Sequence, residues 1–292
     1  MISYERQKHL VKQGLATVKT DGIFDTFKYS RKVMFENLWK QYPDTMHCRG
    51  HVYDNRNGNP VQNPPSKSFN YLENGWWNDV PLSTEVRAFK KYNGFMAAAT
   101  IYEGELVVST TGTTNSDYAK LAREKIMKFD AENRNFMERI MEGYTNVYEI
   151  VDESDPHIVD EKPGVYFLGD SLVDVSGANY TAFYPQGDFI EGTLDDILEI
   201  AKSVEHEGYM VWSGRNVCKV KSPYYTFKKK LMRMSDKNVD VLYDKPFYAL
   251  ESFDQKWFTV GMTIKNTQDK EFWKALTDQQ RRTIIETIYE NL

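Results

Sequence analysis

The fold of this chain is decided around residues 91–102, KYNGFMAAATIY, where a lysine in a turn leads into a β-prone run. Glu103-Gly104 follows, a pair typical of a tight hairpin turn, and residues 105–109 are again β-prone. Lys91 is therefore expected at the edge of an antiparallel sheet. Gly94 lets the backbone pass close to a ligand. A deprotonated lysine amine in such a position can attack a phosphorus atom, although a lysine before a turn glycine is also typical of an ordinary surface turn.

Short strands and turns continue on both sides of this hairpin. Residues 209–212 and 217–220 flank a turn at 213–216, and residues 49–53 have a partner strand near Val61. Helical spacing between Ser116 or Asp117 and Phe129 predicts a helix outside the sheets. Antiparallel strands with peripheral helices make an α+β fold.

The pattern changes after about Met234, where the apolar residues follow a helical spacing and Thr277-Asp278 is a plausible helix cap. We therefore predict two units. Residues 1–233 form the main domain, and residues 234–292 form a small, mainly helical C-terminal domain.

Composition restricts the class of protein. The chain has 292 residues, a formal net charge of −5 and no apolar run of about 18 residues that could span a membrane. Its first 15 residues are polar, without a signal segment. The two cysteines lie far apart, which is typical of a reducing compartment. We expect a monomeric cytoplasmic protein that does not coat nucleic acid by bulk charge.

Three further elements carry charged residues where chemistry could use them. Glu149 stands inside an apolar strand, and Glu207 opens a second β-prone run. Lys219 and Lys221 alternate along a third strand and so share one face. Two amines on one face repel each other unless an anion lies between them, and phosphate is such an anion. Each element alone could equally be a solvent-facing strand, but the three together with Lys91 are hard to explain by chance.

In this order the elements resemble the motifs of the covalent nucleotidyltransferase superfamily of DNA ligases, RNA ligases and mRNA capping enzymes. The phage RNA ligase 1 family is more similar still. The resemblance covers roughly residues 24 to 230. The matching elements are Lys91-Tyr92-Asn93-Gly94 (motif I), Tyr148-Glu149-Ile150-Val151 (motif III), Glu207-Gly208-Tyr209-Met210-Val211 (motif IV), Lys219-Val220-Lys221 (motif V), and the family elements Phe27-Lys28-Tyr29, Cys48-Arg49-Gly50, Lys67-Ser68-Phe69-Asn70 and Lys221-Ser222-Pro223-Tyr224-Tyr225.

The resemblance implies a nucleotidyltransferase (ligase adenylyltransferase) fold and an ATP-dependent RNA ligase that carries AMP on Lys91. The substrates would be RNA ends with a 5′-phosphate and a 3′-hydroxyl, the cofactors would be ATP and Mg²⁺ or Mn²⁺, and RNA repair is a possible context. Viral origin would place the protein in the host-cell cytoplasm. The implied nucleotide-binding residues are Tyr29, Arg49, Lys67, Gly94, Glu149, Glu207, Lys219, Lys221 and Tyr225.

Residue chemistry distributes the roles within this set. Glu149 and Glu207 are expected at ribose hydroxyls or at a metal ion, either directly or through water. Lys219 and Lys221 are expected at the α-phosphate. The basic run Lys228, Lys229 and Lys230 is a candidate contact with the nucleic-acid backbone, although such a run is also typical of a solvated helix face.

Several features depart from the family pattern or favour other classes. Asn93 stands where motif I commonly has Asp, Thr111 replaces a basic residue, and the C-terminal region is shorter than the family's tRNA-recognising domain. A DNA ligase or capping-type transferase would be expected to bring an oligonucleotide-binding barrel after motif V. A non-catalytic RNA-binding protein on the same fold is the alternative of another class, and it would not transfer label from ATP. His47, Cys48 and His51 lack an evident fourth zinc ligand.

Overall fold

The computed structural model describes residues 1–132, 140–155, 157–173 and 183–292, and it contains both strands and helices. The strands in chain order are β1 (Ala16–Asp21), β2 (Phe24–Tyr29), β3 (Arg49–Asp54), β4 (Pro60–Gln62), β5 (Phe69–Asn70), β6 (Glu85–Lys90), β7 (Phe95–Tyr102), β8 (Glu105–Thr110), β9 (Tyr144–Val151), β10 (Gly164–Leu172), β11 (Phe183–Pro185), β12 (Phe189–Thr193), β13 (Gly208–Ser213) and β14 (Asn216–Lys221). The helices are α1 (Tyr4–Lys12), α2 (Arg31–Phe35), α3 (Asp117–Glu132), α4 (Leu194–Ser203), α5 (Pro223–Met232), α6 (Asp236–Asp244), α7 (Pro246–Ala249), α8 (Gln255–Thr267), α9 (Lys270–Ala275) and α10 (Asp278–Glu290), with short 3₁₀ helices at Pro43–His47 and Glu73–Gly75.

The strands form three sheets. The first has the order β1-β2-β3-β4, the second β11-β10-β9-β7-β8, and the third β12-β6-β13-β14-β5. Neighbouring strands are antiparallel except for β14 and β5, which are parallel. The expected α+β class, with antiparallel sheets flanked by helices, is confirmed.

The predicted hairpins are also confirmed. Tyr102 pairs with Glu105 across the turn between β7 and β8. Glu103 and Gly104 both have positive φ, 51° and 80°, as a two-residue turn of the favoured hand requires. The turn between β13 and β14 pairs Ser213 with Asn216 in the same way.

Each sheet buries one face against helices. Helix α4 covers the third sheet, where Val86, Val211 and Val220 pack with Leu194 and Ile197 of the helix. Because side chains alternate along a strand, the residues directly before and after each of these valines lie on the opposite face of the sheet. That face carries the predicted motif V lysines.

Helices α6 to α10 make up the chain after residue 235, and they share a core with residues outside that region. Leu231 and Met232 of α5, together with Ile158 and Val159, pack in the same cluster as the tryptophans of α8 and α9. The domain boundary at residue 233 stays a prediction. No helix in the described part of the chain combines the length and the apolar character that crossing a bilayer requires.

Candidate active site

The predicted nucleophile lies where two sheets meet. Residues 91–94, the nucleophile loop, connect β6 of the third sheet to β7 of the second. The Lys91 backbone N–H donates to the Gly208 carbonyl at 2.9 Å, which extends the β6–β13 pairing by one residue. The Lys91 side chain is 20 % exposed, and its Nζ lies 3.2 Å from Glu207 Oε2. The amine is therefore held in a defined position and still open to a ligand.

Gly94 makes the closest backbone approach in this loop. A Cβ at this position would lie 2.2 Å from the carbonyl oxygen of Ile150 and 3.1 Å from Cγ2 of Val151. The Gly94 N–H donates to Glu149 Oε1 at 3.1 Å. The glycine is therefore required because β9 packs directly against the loop.

Glu149 is buried on β9 of the second sheet and faces the nucleophile. Burial raises the pKa of its carboxyl, while the Lys91 ammonium acts in the opposite direction. The nearby Glu207 also raises this pKa, and the Gly94 N–H and Arg49 lower it. Glu149 is thus in contact, through charge or hydrogen bonding, with motif I and with the Cys48-Arg49-Gly50 element.

The carboxylate of Glu207 lies between two lysines. Its Oε2 is 3.2 Å from Lys91 Nζ and its Oε1 is 3.5 Å from Lys221 Nζ. Asn93 Nδ2 donates to the same Oε2 at 3.1 Å. The Glu207 carboxylate therefore lies between the amines of Lys91 and Lys221. The anion expected between Lys219 and Lys221 stays a prediction.

Strand register accounts for the position of Lys219 and Lys221. Lys219 pairs with Met210 and Lys221 pairs with Gly208, on the face opposite α4. A Cβ at Gly208 would lie 2.1 Å from the Val220 carbonyl oxygen, so only glycine fits between Lys91 and Lys221 at this point of the sheet. Burial, together with the neighbouring cations of Lys67 and Arg49, lowers the pKa of Lys219 to about 6.

Lys67 and Arg49 lie near Lys91, Lys219 and Lys221, and these five side chains are here named the positive cluster. The Nζ atoms of Lys67 and Lys219 both donate to the Ser68 carbonyl, at 2.7 and 2.9 Å. Burial lowers the pKa of Lys67 and also that of Arg49. Arg49 Nη1 contacts Met96 Sδ at 3.1 Å. Cations from three parts of the chain therefore crowd together with few carboxylates, which is the electrostatic character of an anion-binding site.

The two predicted tyrosines have different surroundings. Tyr225, at the start of α5, is buried, and the amines of Lys221 and Lys229 lie 4.8 and 5.6 Å from its ring centroid. Tyr29 packs edge-on against Trp39 at 4.9 Å. Tyr225 thus lies beside the positive cluster. The ring contact of Tyr29, by contrast, is with the core beneath the first sheet.

The basic run on α5 does not act as one surface. Lys228 is 1 % exposed and forms an ion pair with Glu286 of α10. Its ammonium is therefore unable to reach a nucleic-acid backbone in this structure, and the expectation for Lys228 is corrected. Lys230 donates to Ser252 Oγ at 2.9 Å. Lys229, by contrast, faces the cluster, and burial with the nearby Arg233 cation lowers its pKa.

Two cavities adjoin the cluster. A cavity of about 460 Å³ is lined by Lys219, Lys221, Tyr225 and Lys229. A larger cleft of about 1100 Å³ separates the second and third sheets, and Lys67 lines its wall. The smaller volume suits a nucleotide. Lys91, Glu149 and Glu207 do not line either cavity. The aromatic walls of the cleft were not predicted, because Phe89, Phe183, Phe189 and Trp212 come from separate strands and share no sequence motif.

The carboxylates of the site could serve as metal ligands. Within the described ranges, no group of three or more His, Cys, Asp or Glu side chains is placed to bind a metal ion. Glu149 and Glu207 are the two carboxylates of the site, and Mg²⁺ commonly uses one or two carboxylates together with substrate phosphates. The pair therefore fits a metal ion that arrives with a nucleotide, not a resident ion in a protein cage.

Comparison with known proteins shows which solved structures share this fold. No protein-family model and no curated protein matches the chain. Two solved forms of an archaeal ATP-dependent RNA ligase match it with TM-scores of 0.53 and 0.54 at 12 % identity, over 99 and 98 % of this chain and 76 % of theirs. A protein from Aquifex aeolicus described as a candidate ATP-dependent DNA ligase matches with a TM-score of 0.51 at 13 % identity, over 99 % of this chain and 78 % of that one.

This chain has the nucleotidyltransferase fold of ATP-dependent ligases. The expected fold class is thereby confirmed, and the likeness extends over nearly the whole chain. At 12 to 13 % identity the comparison shows the fold alone. What the protein does has to be argued from the site.

Proposed function

We propose that this protein is an ATP-dependent polynucleotide ligase that carries AMP on Lys91, and that its substrates are RNA ends. The observation that carries the proposal is the position of Lys91 Nζ, at the junction of two sheets and beside Glu207. Around it lies a cluster of cations with two buried carboxylates. A primary amine inside an anion-binding site suits covalent capture of a nucleotide phosphate.

The first step forms a bond between Lys91 Nζ and the α-phosphorus of ATP. The bond from that phosphorus to the oxygen of the β-phosphate breaks, pyrophosphate leaves, and the amine loses a proton. The product is a lysyl-AMP phosphoramidate. Lys219 and Lys221 would hold the α-phosphate, since Lys221 shares the carboxylate of Glu207 with Lys91. Positioning and charge neutralisation then supply most of the catalysis.

Two further transfers return the lysine to its starting state. An oxygen of a 5′-phosphate end attacks the phosphorus of lysyl-AMP, so the N–P bond breaks and a 5′-adenylylated end forms. A 3′-hydroxyl then loses its proton and attacks the phosphorus of the original 5′-phosphate, the P–O bond to AMP breaks, and AMP leaves as the phosphodiester bond forms. Glu149 and Glu207 would bind ribose hydroxyls or a metal ion, and Arg49 and Lys67 would contact phosphate or ribose. Bound Mg²⁺ would neutralise charge on the phosphate oxygens.

The choice of RNA rests on two supports. Arg49 and Lys67 belong to the upstream elements that resemble the phage RNA ligase 1 family, and both lie in the positive cluster. Two of the matching structures are described as forms of an RNA ligase. DNA is the competing substrate, since the Aquifex protein is described as a candidate DNA ligase.

Transfer of label from α-labelled ATP in the presence of Mg²⁺ tests the first step. We expect the wild-type protein to retain label after denaturation and the Lys91→Arg variant to retain none, because arginine keeps the charge but not the nucleophilic amine. Lys202→Arg is the matched control, since it makes the same change at an exposed lysine that pairs with Glu199 on α4. Label on the Lys91→Arg protein, or none on the wild type, would refute the proposal.

The acceptor is tested separately with pre-formed AMP-protein. Matched single strands and nicked duplexes of RNA and of DNA, each with a 5′-phosphate and a 3′-hydroxyl, are compared for sealing. We expect RNA ends to be joined faster. Faster joining of DNA would overturn the choice of RNA and leave the lysyl-AMP step intact.

A further inference from the structure

The helical C-terminal region and the nucleophile loop are connected through one short stretch of chain. Residues 157–161, here named the bridging segment, lie between β9 and β10. Its two apolar residues, Ile158 and Val159, are each 1 % exposed and pack in the helical cluster with Trp257 and Ile285. The bridging segment is therefore part of the helical core, although it is far from those helices in sequence.

The bridging segment also holds the nucleophile loop on both sides of Lys91. The backbone N–H groups of Ile158 and Val159 both donate to Asn93 Oδ1, at 2.8 and 3.3 Å. At its other end Glu161 Oε2 accepts a hydrogen bond from Lys90 Nζ at 2.9 Å. The Glu161 side chain is 3 % exposed, whereas that of Lys90 is 40 % exposed, so the buried carboxylate is fixed by a cation at the protein surface.

Asn93 connects the bridging segment to Glu207, beside the proposed nucleophile. While its Oδ1 accepts from the bridging segment, its Nδ2 donates to Glu207 Oε2 at 3.1 Å, and that same oxygen lies 3.2 Å from Lys91 Nζ. An amide can donate and accept at once, whereas an ionised carboxylate only accepts. This gives the Asn93 departure from the family pattern a physical reason.

Arg282 of α10 holds the bridging segment from the helical side. Its Nη1 donates to the His157 carbonyl at 3.3 Å, and its Nη2 forms an ion pair with Asp160. Its Nε donates to Glu286 Oε1 at 2.9 Å, and Glu286 also pairs with the buried Lys228. Arg282 itself is 6 % exposed, which is unusual for an arginine at the surface of a helical bundle.

We propose that Arg282 is a positioning residue for Lys91, acting through the bridging segment and Asn93, so that the C-terminal helices set the alignment of the nucleophile. The inference rests on the proposed adenylylation of Lys91. It assigns to the C-terminal region a role in the first step of the reaction, before any nucleic acid is bound. A misalignment of about 1 Å at a reacting atom can cost roughly 100-fold in rate, so a modest loosening is enough to be measured.

A double-mutant cycle tests the connection. Arg282→Met and Asn93→Ala are made singly and together, and the rate of label transfer from α-labelled ATP is measured at saturating ATP. We expect each single change to slow adenylylation by roughly tenfold or more, and the double variant to be no slower than the slower single variant, because both changes break the same chain of contacts. Affinity for a non-hydrolysable ATP analogue is expected to change little. Effects that multiply in the double variant would overturn the proposal.

The control and a second measurement separate positioning from loss of folding. Lys274→Met removes a cation that pairs with Asp240 and Glu271 in the same helical region, away from the contacts of Arg282 with the bridging segment. It should leave the rate unchanged. Hydrogen exchange measured by mass spectrometry on peptides covering residues 88–95 should accelerate in Arg282→Met and not in Lys274→Met.

The hydrogen-exchange result does not depend on ligase activity. If the wild-type protein takes no label, the proposed function fails, whatever the exchange shows. If the wild type is labelled and neither the rate nor the exchange of residues 88–95 responds to Arg282→Met, the positioning role fails and the function stands.

Discussion

Replacing Gly94 by alanine should disable the nucleophile without unfolding the protein. The added Cβ would lie 2.2 Å from the Ile150 carbonyl oxygen. Contacts between a C–H group and an oxygen begin at about 3.3 Å, so the loop has to move by about 1 Å away from β9. That movement lengthens the hydrogen bond from the Gly94 N–H to Glu149 and displaces Lys91 from Glu207. Strain of this kind costs about 1–3 kcal/mol of folding stability, and the displacement costs roughly 100-fold in rate.

The assay is the single-turnover rate of label transfer from α-labelled ATP, measured together with the thermal unfolding midpoint. Gly112→Ala is the control, because its Cβ would meet only Lys28 Cδ, at 3.9 Å. It should adenylylate at the wild-type rate. If Gly94→Ala were labelled as fast as the wild type, the close packing of β9 against the loop would not matter for the reaction, and the reasoning would be refuted.

Three other changes test separate parts of the account. Lys219 has a pKa of about 6, so it is mostly neutral at pH 7.5, and a bound phosphate raises that pKa. Calorimetry in buffers of different ionisation enthalpy should therefore detect proton uptake on ATP binding above pH 6, and Lys219→Met should reduce that uptake. Asn93→Asp places a second carboxylate about 3 Å from Glu207, so adenylylation relative to wild type should fall at pH 8 and recover in part near pH 6; an equal loss at both values would contradict the role of the amide. Lys228→Met should lower the free energy of unfolding by up to about 3 kcal/mol, because it leaves the partly exposed Glu286 without this partner, and should leave RNA affinity unchanged in a filter-binding assay.

Local sequence signals account for the parts of the fold that were predicted. The turn at Glu103-Gly104 is set by two residues that adopt positive φ, and Thr277 caps the start of α10. Alternation along a strand was enough to place Lys219 and Lys221 on one face. Each of these features depends on residues within a few positions of one another.

The features that were missed depend on contacts between distant segments. The run of three lysines gave no sign that Lys228 is buried, because its orientation is set by packing against α10, 58 residues further on. In the sequence Asn93 was only a departure from a motif. Its hydrogen bond to Ile158 could not be predicted, because that residue is 65 positions away and contributes only a backbone N–H. Backbone donors leave no trace in residue type, so such a contact has no signature in a single sequence.

The site of AMP attachment is the most direct test of the central claim. Wild-type protein incubated with ATP and Mg²⁺ is digested under conditions that preserve the phosphoramidate, and the peptides are examined by mass spectrometry. The account predicts one added AMP per chain, on the peptide that contains Lys91, and its loss on addition of pyrophosphate. AMP on another residue, or an unmodified Lys91 peptide under conditions in which RNA ends are joined, would contradict it.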